Sequence, residues 1–189
     1  LAAIDIGSNA VRLLISEAAP YHDATSYTKL LLLRIPLRLG FDVFSGGVIS
    51  EDKQGRLIES LKAFRHLMNV YKVDAWRACA TSAMRDAKNC EAILAAVKQN
   101  TGITIEVISG QEEAGIFYQM HIAEQPHTGK SYLYVDVGGG STEVTLFSGD
   151  TTIFKESFNI GTIRLLHNQV KEEQWEHMKR FIKTETQSY

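Results

Sequence analysis

Apolar residues along this chain change their period several times, and each change marks an element. Ile4 and Ile6, then Val11, Leu13 and Ile15 alternating with Arg12 and Ser16, read as two short strands. Tyr27 to Leu39 reads as a third, with Pro36 marking an edge or a strand end. Gly40 to Gly47 holds three glycines and reads as a loop. Ser50 followed by Glu51 and Asp52 is a helix start with acids in the first turn. Leu57, Leu61, Phe64, Met68 and Tyr71 then recur at helical spacing, so the pattern predicts an amphipathic helix over residues 51–71 whose apolar stripe is core. Ala75 to Ala80 is the next strand, running into a polar loop, Thr81 to Asp86. A helix follows from about Asn89, with Ile93, Leu94 and Val97 inward and Gly102 closing it, and then a strand from Ile103 to Ile108. Strands alternating with helices imply parallel βαβ units, so the fold class is α/β.

The pattern continues beyond a polar stretch, Glu124 to Lys130, that contains Pro and Gly and is the best domain boundary. Leu133 to Val137 is β-branched and short and reads as a buried strand; Glu143 to Phe147 alternates and reads as a half-buried one. Ser148-Gly-Asp150 is a hairpin turn, Thr151 to Phe158 a third strand, and Ile160 to Leu166 the start of a helix. Glu172 to Tyr189 is helical, with Trp175, Met178, Phe181 and Ile182 on one side. Two domains are expected, residues 1–123 and 124–189. The second has fewer elements than the first, and the chain opens at Leu1 inside a strand pattern, so a piece of a longer protein is expected, with an incomplete second domain.

The two halves share one device. Ile4-Asp-Ile-Gly-Ser-Asn9 matches Val135-Asp-Val-Gly-Gly-Gly140 in its strand, its Asp and its first Gly, and each is followed by a second strand. Gly138, Gly139 and Gly140 are free to take positive φ and to aim backbone N–H groups into one space, and Ser141 and Thr142 add hydroxyls. Such a turn is a nest for a phosphate, and Asp136 and Glu143 bracket it with the hard oxygen ligands that suit Mg²⁺.

A second candidate for chemistry opens the helix after Ile108. Ser109 to Glu112 has the Ser-x-x-Glu spacing of a capping box, which makes Glu112 structural. Glu113 lies about a hundred degrees further round the helix and is not needed for the cap. The positive end of the helix dipole helps keep it ionised, as a general base requires. Arg85 is the one Arg in the loop after the strand at residues 75–80, at the strand's C-terminal end where α/β sheets bind ligands.

Composition narrows the choice of partner. A formal charge of −2 over 189 residues supplies no field for nucleic acid or for a membrane surface, so an anionic ligand must be held by local groups. The apolar run at Leu30 to Leu33 is broken by Arg34 and Pro36, well short of the ~18 residues of a membrane helix. Cys79 and Cys90 make no disulfide framework and fit a cytoplasmic chain. The six histidines include no pair at zinc-ligand spacing.

Five motifs occur in order: Asp5-Ile-Gly-Ser-Asn9, Ala80-Thr-Ser-Ala-Met-Arg85, Ile108-Ser-Gly-Gln-Glu-Glu-Ala114, Asp136-Val-Gly-Gly-Gly-Ser-Thr-Glu143 and Asn159-Ile-Gly-Thr-Ile-Arg164. In this order they resemble the exopolyphosphatase/guanosine pentaphosphate phosphatase family, within the actin, sugar kinase and acetate kinase superfamily. The resemblance covers the chain from Leu1 to about Leu166, and the last four motifs carry its specificity.

The resemblance implies a two-domain ribonuclease H-like fold with the active site in the cleft. It implies Mg²⁺-dependent removal of terminal phosphate from polyphosphate or of the 5′ γ-phosphate from guanosine pentaphosphate, and a homodimer is typical. Carried over by motif, Glu113 is the general base, Arg85 holds phosphate, and Asp136 and Glu143, with Asp5, are the metal-binding acids. Gly7, Ser8 and Asn9 form the first phosphate loop, and Gly138, Gly139, Gly140, Ser141 and Thr142 the second. The chain departs from the family at Ala10, where a Ser or Thr is usual. The rival readings are a nucleotide-binding kinase of the superfamily, or an actin-like scaffold that binds nucleotide without hydrolysing it.

Overall fold

The computed structural model describes residues 1–21, 24–113, 115–116, 131–148 and 151–187. The chain divides into two compact units, Leu1–Val107 and Ile108–Tyr189. The division falls ahead of the polar stretch at 124–130, which lies outside the described residues, and Glu113 belongs to the second unit.

The first unit is built on a five-stranded sheet. Its strands are β1 (Ala2–Ile6), β2 (Val11–Tyr21), β3 (Ala24–Ile35), β4 (Trp76–Ala80) and β5 (Glu106–Val107), in the order β3-β2-β1-β4-β5. The β1–β2 and β2–β3 pairs are antiparallel; β1–β4 and β4–β5 are parallel. The parallel pairing expected from the alternation of strands and helices holds for β1–β4 and β4–β5. The helices are α1 (Leu39–Gly46), α2 (Glu51–Val70), α3 (Ser82–Asp86) and α4 (Cys90–Thr101), and α2 packs against α4. The apolar stripe of α2 is core as expected at Leu57, Leu61, Phe64 and Met68, all buried. Burial of each contributes roughly 1.5–3 kcal/mol. Tyr71, expected in the same stripe, follows the last turn and is exposed. Gly102 ends α4 in the left-handed conformation, its N–H on the Lys98 carbonyl.

Three further first-unit expectations are corrected. Residues 40–47 are not a loop: Leu39–Gly46 is a helix that buries Leu39, Gly40, Val43 and Phe44, and only Gly47, with φ of 77°, serves as its stop. Thr81 to Asp86 is likewise a helical turn, α3, with Ser82, Ala83 and Met84 buried. In both, packing of a few small or apolar side chains overrides a weak local pattern. The strand expected at 103–108 pairs only at Glu106–Val107, opposite Cys79 and Ala80 at the end of β4.

The second unit carries a three-stranded antiparallel sheet, β6 (Ser131–Val137), β7 (Thr142–Ser148) and β8 (Thr151–Phe158), followed by α5 (Thr162–Leu166) and α6 (Glu172–Glu185). Val144, Leu146, Phe154, Phe158 and Ile160 form its core, with Trp175, Met178, Phe181 and Ile182 of α6 packed on it. Phe181 meets Phe154 and Phe158 edge to face at 5.2 and 5.6 Å. The burial of the first two strands is the reverse of that expected. The alternating strand, β7, is buried along almost its whole length, whereas Leu133, Val135 and Val137 of β6 are exposed. Among the described residues β7 is the central strand and β6 a marginal one, away from the helix that packs on β8, and strand position overrides the local pattern.

Candidate active site

The first Gly turn emerges where β1 ends beside β4, since Ile6 and Ala80 are register partners. The Gly7 N–H donates to the Ala10 carbonyl at 3.0 Å and closes the turn. Ser8 is buried, and its hydroxyl meets that of Ser82, at the start of α3, at 2.8 Å. The Arg85 N–H donates to the Thr81 carbonyl at 3.0 Å within that same short helix. One buried hydroxyl pair therefore ties the Gly7–Asn9 turn to the segment that carries Arg85. Ala10 is buried, and its carbonyl does the turn-closing work, which any residue type supplies.

Beyond the turn the chain folds back to hold it. The Gly40 N–H donates to the Ser8 carbonyl and the Arg38 N–H to the Asn9 carbonyl, both at 2.8 Å. Arg38 takes φ of 56° to do so, a left-handed conformation that side-chain-bearing residues rarely adopt. Its own carbonyl accepts from Lys53 Nζ at 2.7 Å, and Lys53 pairs with Asp42 at 2.5 Å. Burial works against ionisation of Asp42, but the Lys53 and Ser50 hydrogen bonds outweigh it and hold the carboxyl below its ordinary range.

The second turn repeats the arrangement. The Gly138 N–H donates to the Ser141 carbonyl at 2.8 Å, as Gly7 does to Ala10. The three glycine carbonyls are then taken up by the start of α5. Thr162 N–H reaches Gly138 O at 3.0 Å, Ile163 N–H reaches Gly139 O at 2.8 Å, and Arg164 Nε reaches Gly140 O at 2.5 Å. None of these peptides is cis. In a trans peptide the N–H points opposite to the carbonyl it shares a plane with. The N–H groups of Gly139, Gly140 and Ser141 therefore point away from α5, side by side.

The glycines serve this turn differently from expectation. The positive-φ glycines among the described residues are Gly47 and Gly102, so handedness is not what Gly138, Gly139 and Gly140 supply. Space is what the site demands. A Cβ on Gly138 would sit 3.2 Å from the Ser141 carbonyl, and a Cβ on Gly161 would sit 2.5 Å from Gly139 and 2.6 Å from Gly140 backbone atoms. Close approach of two backbones is thus the reason for Gly161, the glycine of the Asn159–Arg164 motif.

The acids differ between the two units. Asp5 lies across the strands from Arg12 and accepts from its Nη1 at 2.6 Å, an exposed ion pair. The equivalent pair in the second unit is Asp136 opposite Glu143. Two like charges directly opposed on antiparallel strands repel, and a shared cation removes the repulsion. Glu143 is buried, and its Oε1 accepts from Ser157 on β8 at 2.7 Å; Asp136 is exposed. No group of three or more His, Cys, Asp or Glu side chains arranged for a metal occurs among the described residues. Two carboxylates suit Mg²⁺, which keeps several waters and takes further oxygens from substrate phosphates.

Glu113 enters the same unit. Ser109 Oγ accepts from the Glu112 N–H at 3.1 Å, and the Ser109 carbonyl from the Glu113 N–H at 2.9 Å, so Ser109 caps this helical segment. Glu112 is exposed, whereas Glu113 is partly buried with Oε2 withdrawn from solvent. Gly110 lies directly against Ser157, leaving no room there for a Cβ. Ser157 therefore touches the start of the Glu113 segment and holds Glu143. It is a site residue that the sequence did not single out, since a Ser inside an alternating strand carries no special pattern.

Comparison with known proteins bears on the chain as a whole. The chain is 31% identical over 176 residues to exopolyphosphatase 2 of Mycobacterium tuberculosis, covering 87% of this chain and 53% of that protein. It is 31% identical over 171 residues to the guanosine-5′-triphosphate,3′-diphosphate pyrophosphatase of Photobacterium profundum, covering 90% and 33%. Among solved structures, the exopolyphosphatase of Cytophaga hutchinsonii superposes with a TM-score of 0.80 at 28% identity, over 97% of this chain and 59% of that one. The chain spans about half or less of the length of the curated relatives it matches. The profile of the Ppx/GppA phosphatase family matches residues 21–187, and this chain belongs to that family.

Proposed function

We propose that the protein carrying this chain is a phosphoanhydride hydrolase that releases terminal phosphate from inorganic polyphosphate with the help of Mg²⁺. The observation that carries the reading is in the second unit. A turn with its N–H groups on one side shares that body with Asp136, Glu143 and the half-buried Glu113. The relatives named for exopolyphosphatase and for guanosine pyrophosphatase activity support the reaction class. Polyphosphate is placed first because the structural relative with the TM-score of 0.80 is an exopolyphosphatase.

In this reading the N–H groups of the Gly138–Thr142 turn neutralise the non-bridging oxygens of the terminal phosphate, and the Gly7–Asn9 turn and the Arg85 guanidinium of the first unit bind phosphate oxygens of the substrate. Such positioning and charge stabilisation dominate phosphoryl transfer. Glu113 orients a water and takes its proton as the water attacks in line. Asp136 and Glu143 would hold Mg²⁺, which polarises the anhydride when bound. Ser157 keeps the Glu143 carboxylate oriented by donating to Oε1.

Phosphate release from polyphosphate, guanosine pentaphosphate and ATP by the full-length protein tests this. Release from polyphosphate, abolished by EDTA and restored by Mg²⁺, is the expected result. Release from guanosine pentaphosphate alone would move the substrate to the second relative's class, and phosphate transfer from ATP to an acceptor would make the protein a kinase.

A further inference from the structure

The two turns are held by donors of different kinds at the same place, and the difference isolates one side chain. In the first unit the carbonyls of Ser8 and Asn9 both accept backbone N–H groups, from Gly40 and Arg38. Aligned through Asp-x-Gly, Ser8 corresponds to Gly139 and Asn9 to Gly140. The Gly139 carbonyl again accepts a backbone N–H, from Ile163 at 2.8 Å. The Gly140 carbonyl instead accepts from a side chain, Arg164 Nε at 2.5 Å. Arg164 does with its guanidinium what the strained backbone of Arg38 does in the first unit.

We infer that Arg164 is a positioning residue for the second phosphate turn. Its Nε bond fixes the peptide plane between Gly140 and Ser141, so that the Ser141 N–H is held pointing away from α5. A glycine peptide rotates with little steric hindrance, and a fixed carbonyl is what prevents that. The bond also bears a positive charge, which makes it stronger than a neutral one. Arg164 is partly buried and lies on the α5 side of the turn, so the role does not require it to touch substrate. The inference rests on reading residues 138–142 as the phosphate turn.

The test is made on the full-length protein with Arg164→Ala and Arg164→Lys. Lysine keeps the charge and most of the stem but offers no donor at the Nε position. Both variants are expected to speed hydrogen exchange in peptides spanning residues 138–142 by about 10-fold, the effect of one lost charge-assisted hydrogen bond. Both should lower kcat/KM on polyphosphate by a similar factor, and added guanidinium ion should restore exchange and rate in the Ala variant. A merely structural role would not be rescued in this way. Unchanged exchange in 138–142 overturns the inference, and so does a Lys variant that behaves like the native protein, because charge alone would then suffice. If the Ala variant does not fold, the Lys variant decides by the same exchange measurement. A native protein inert on polyphosphate would sink the functional reading, and exchange would still decide the role of Arg164.

Discussion

Adjacent residues in this chain have opposite duties, and Glu112 and Glu113 show it most sharply. The Ser109 hydroxyl accepts the Glu112 N–H and so caps this helical segment. Ser109→Ala is therefore expected to cost about 1 kcal/mol in urea unfolding, whereas Glu112→Gln should keep near-native activity. Asp136 makes a different demand. It faces Glu143 across β6 and β7, and in the proposed function the pair holds Mg²⁺. Asp136→Asn should raise the Mg²⁺ concentration for half-maximal rate, read from a metal titration of phosphate release. Asp42 tests the support of the first turn. Its folded pKa lies below the ordinary 3.8, so the stability it contributes is present above that value and lost as pH falls through the folded pKa. Asp42→Asn should cost on the order of 1 kcal/mol at pH 7 and little at low pH, by urea unfolding at both.

At the scale of elements, the parts that stand out are the short ones. Gly161 starts α5 against the backbone of Gly139 and Gly140, and no relaxation of a flexible side chain is available there. Gly161→Ala is expected to cost about 1–3 kcal/mol by overpacking. It should also reduce turnover on the order of 10²-fold by displacing the turn about 1 Å, measured by unfolding and steady-state rates. The long elements were legible in advance because periodicity reports burial: the stripe of α2 needed only Leu57, Leu61, Phe64 and Met68 at helical spacing. The helices α1 and α3 were not legible, since Leu39–Gly46 and Ser82–Asp86 are short, rich in small residues, and helical because of what they pack against. The burial of β6 and β7 was read in reverse because alternation cannot tell a central strand from a marginal one. The site followed the same division. The turn residues were found by matching one turn to the other, while the contacts of Ser157 and the space that Gly161 leaves depend on neighbours distant in sequence.

At the scale of the whole chain, two units share a strand, an Asp-x-Gly turn, a second strand and a downstream clamp on the turn's carbonyls. They differ in electrostatics: the first answers its Asp with Arg12, the second leaves Asp136 facing Glu143. In the function we propose, the facing carboxylates of the second unit take a cation and each unit carries a phosphate-holding turn, a division in which Glu113 of the second unit is the base. The measurement that bears most directly on this division is phosphate release from polyphosphate by the full-length protein and its Glu113→Gln variant, side by side. Turnover by the native protein, falling about 10²–10⁴-fold in the variant with polyphosphate binding retained, is the expected result. A variant that turns over at the native rate would contradict the assignment of Glu113 as the base.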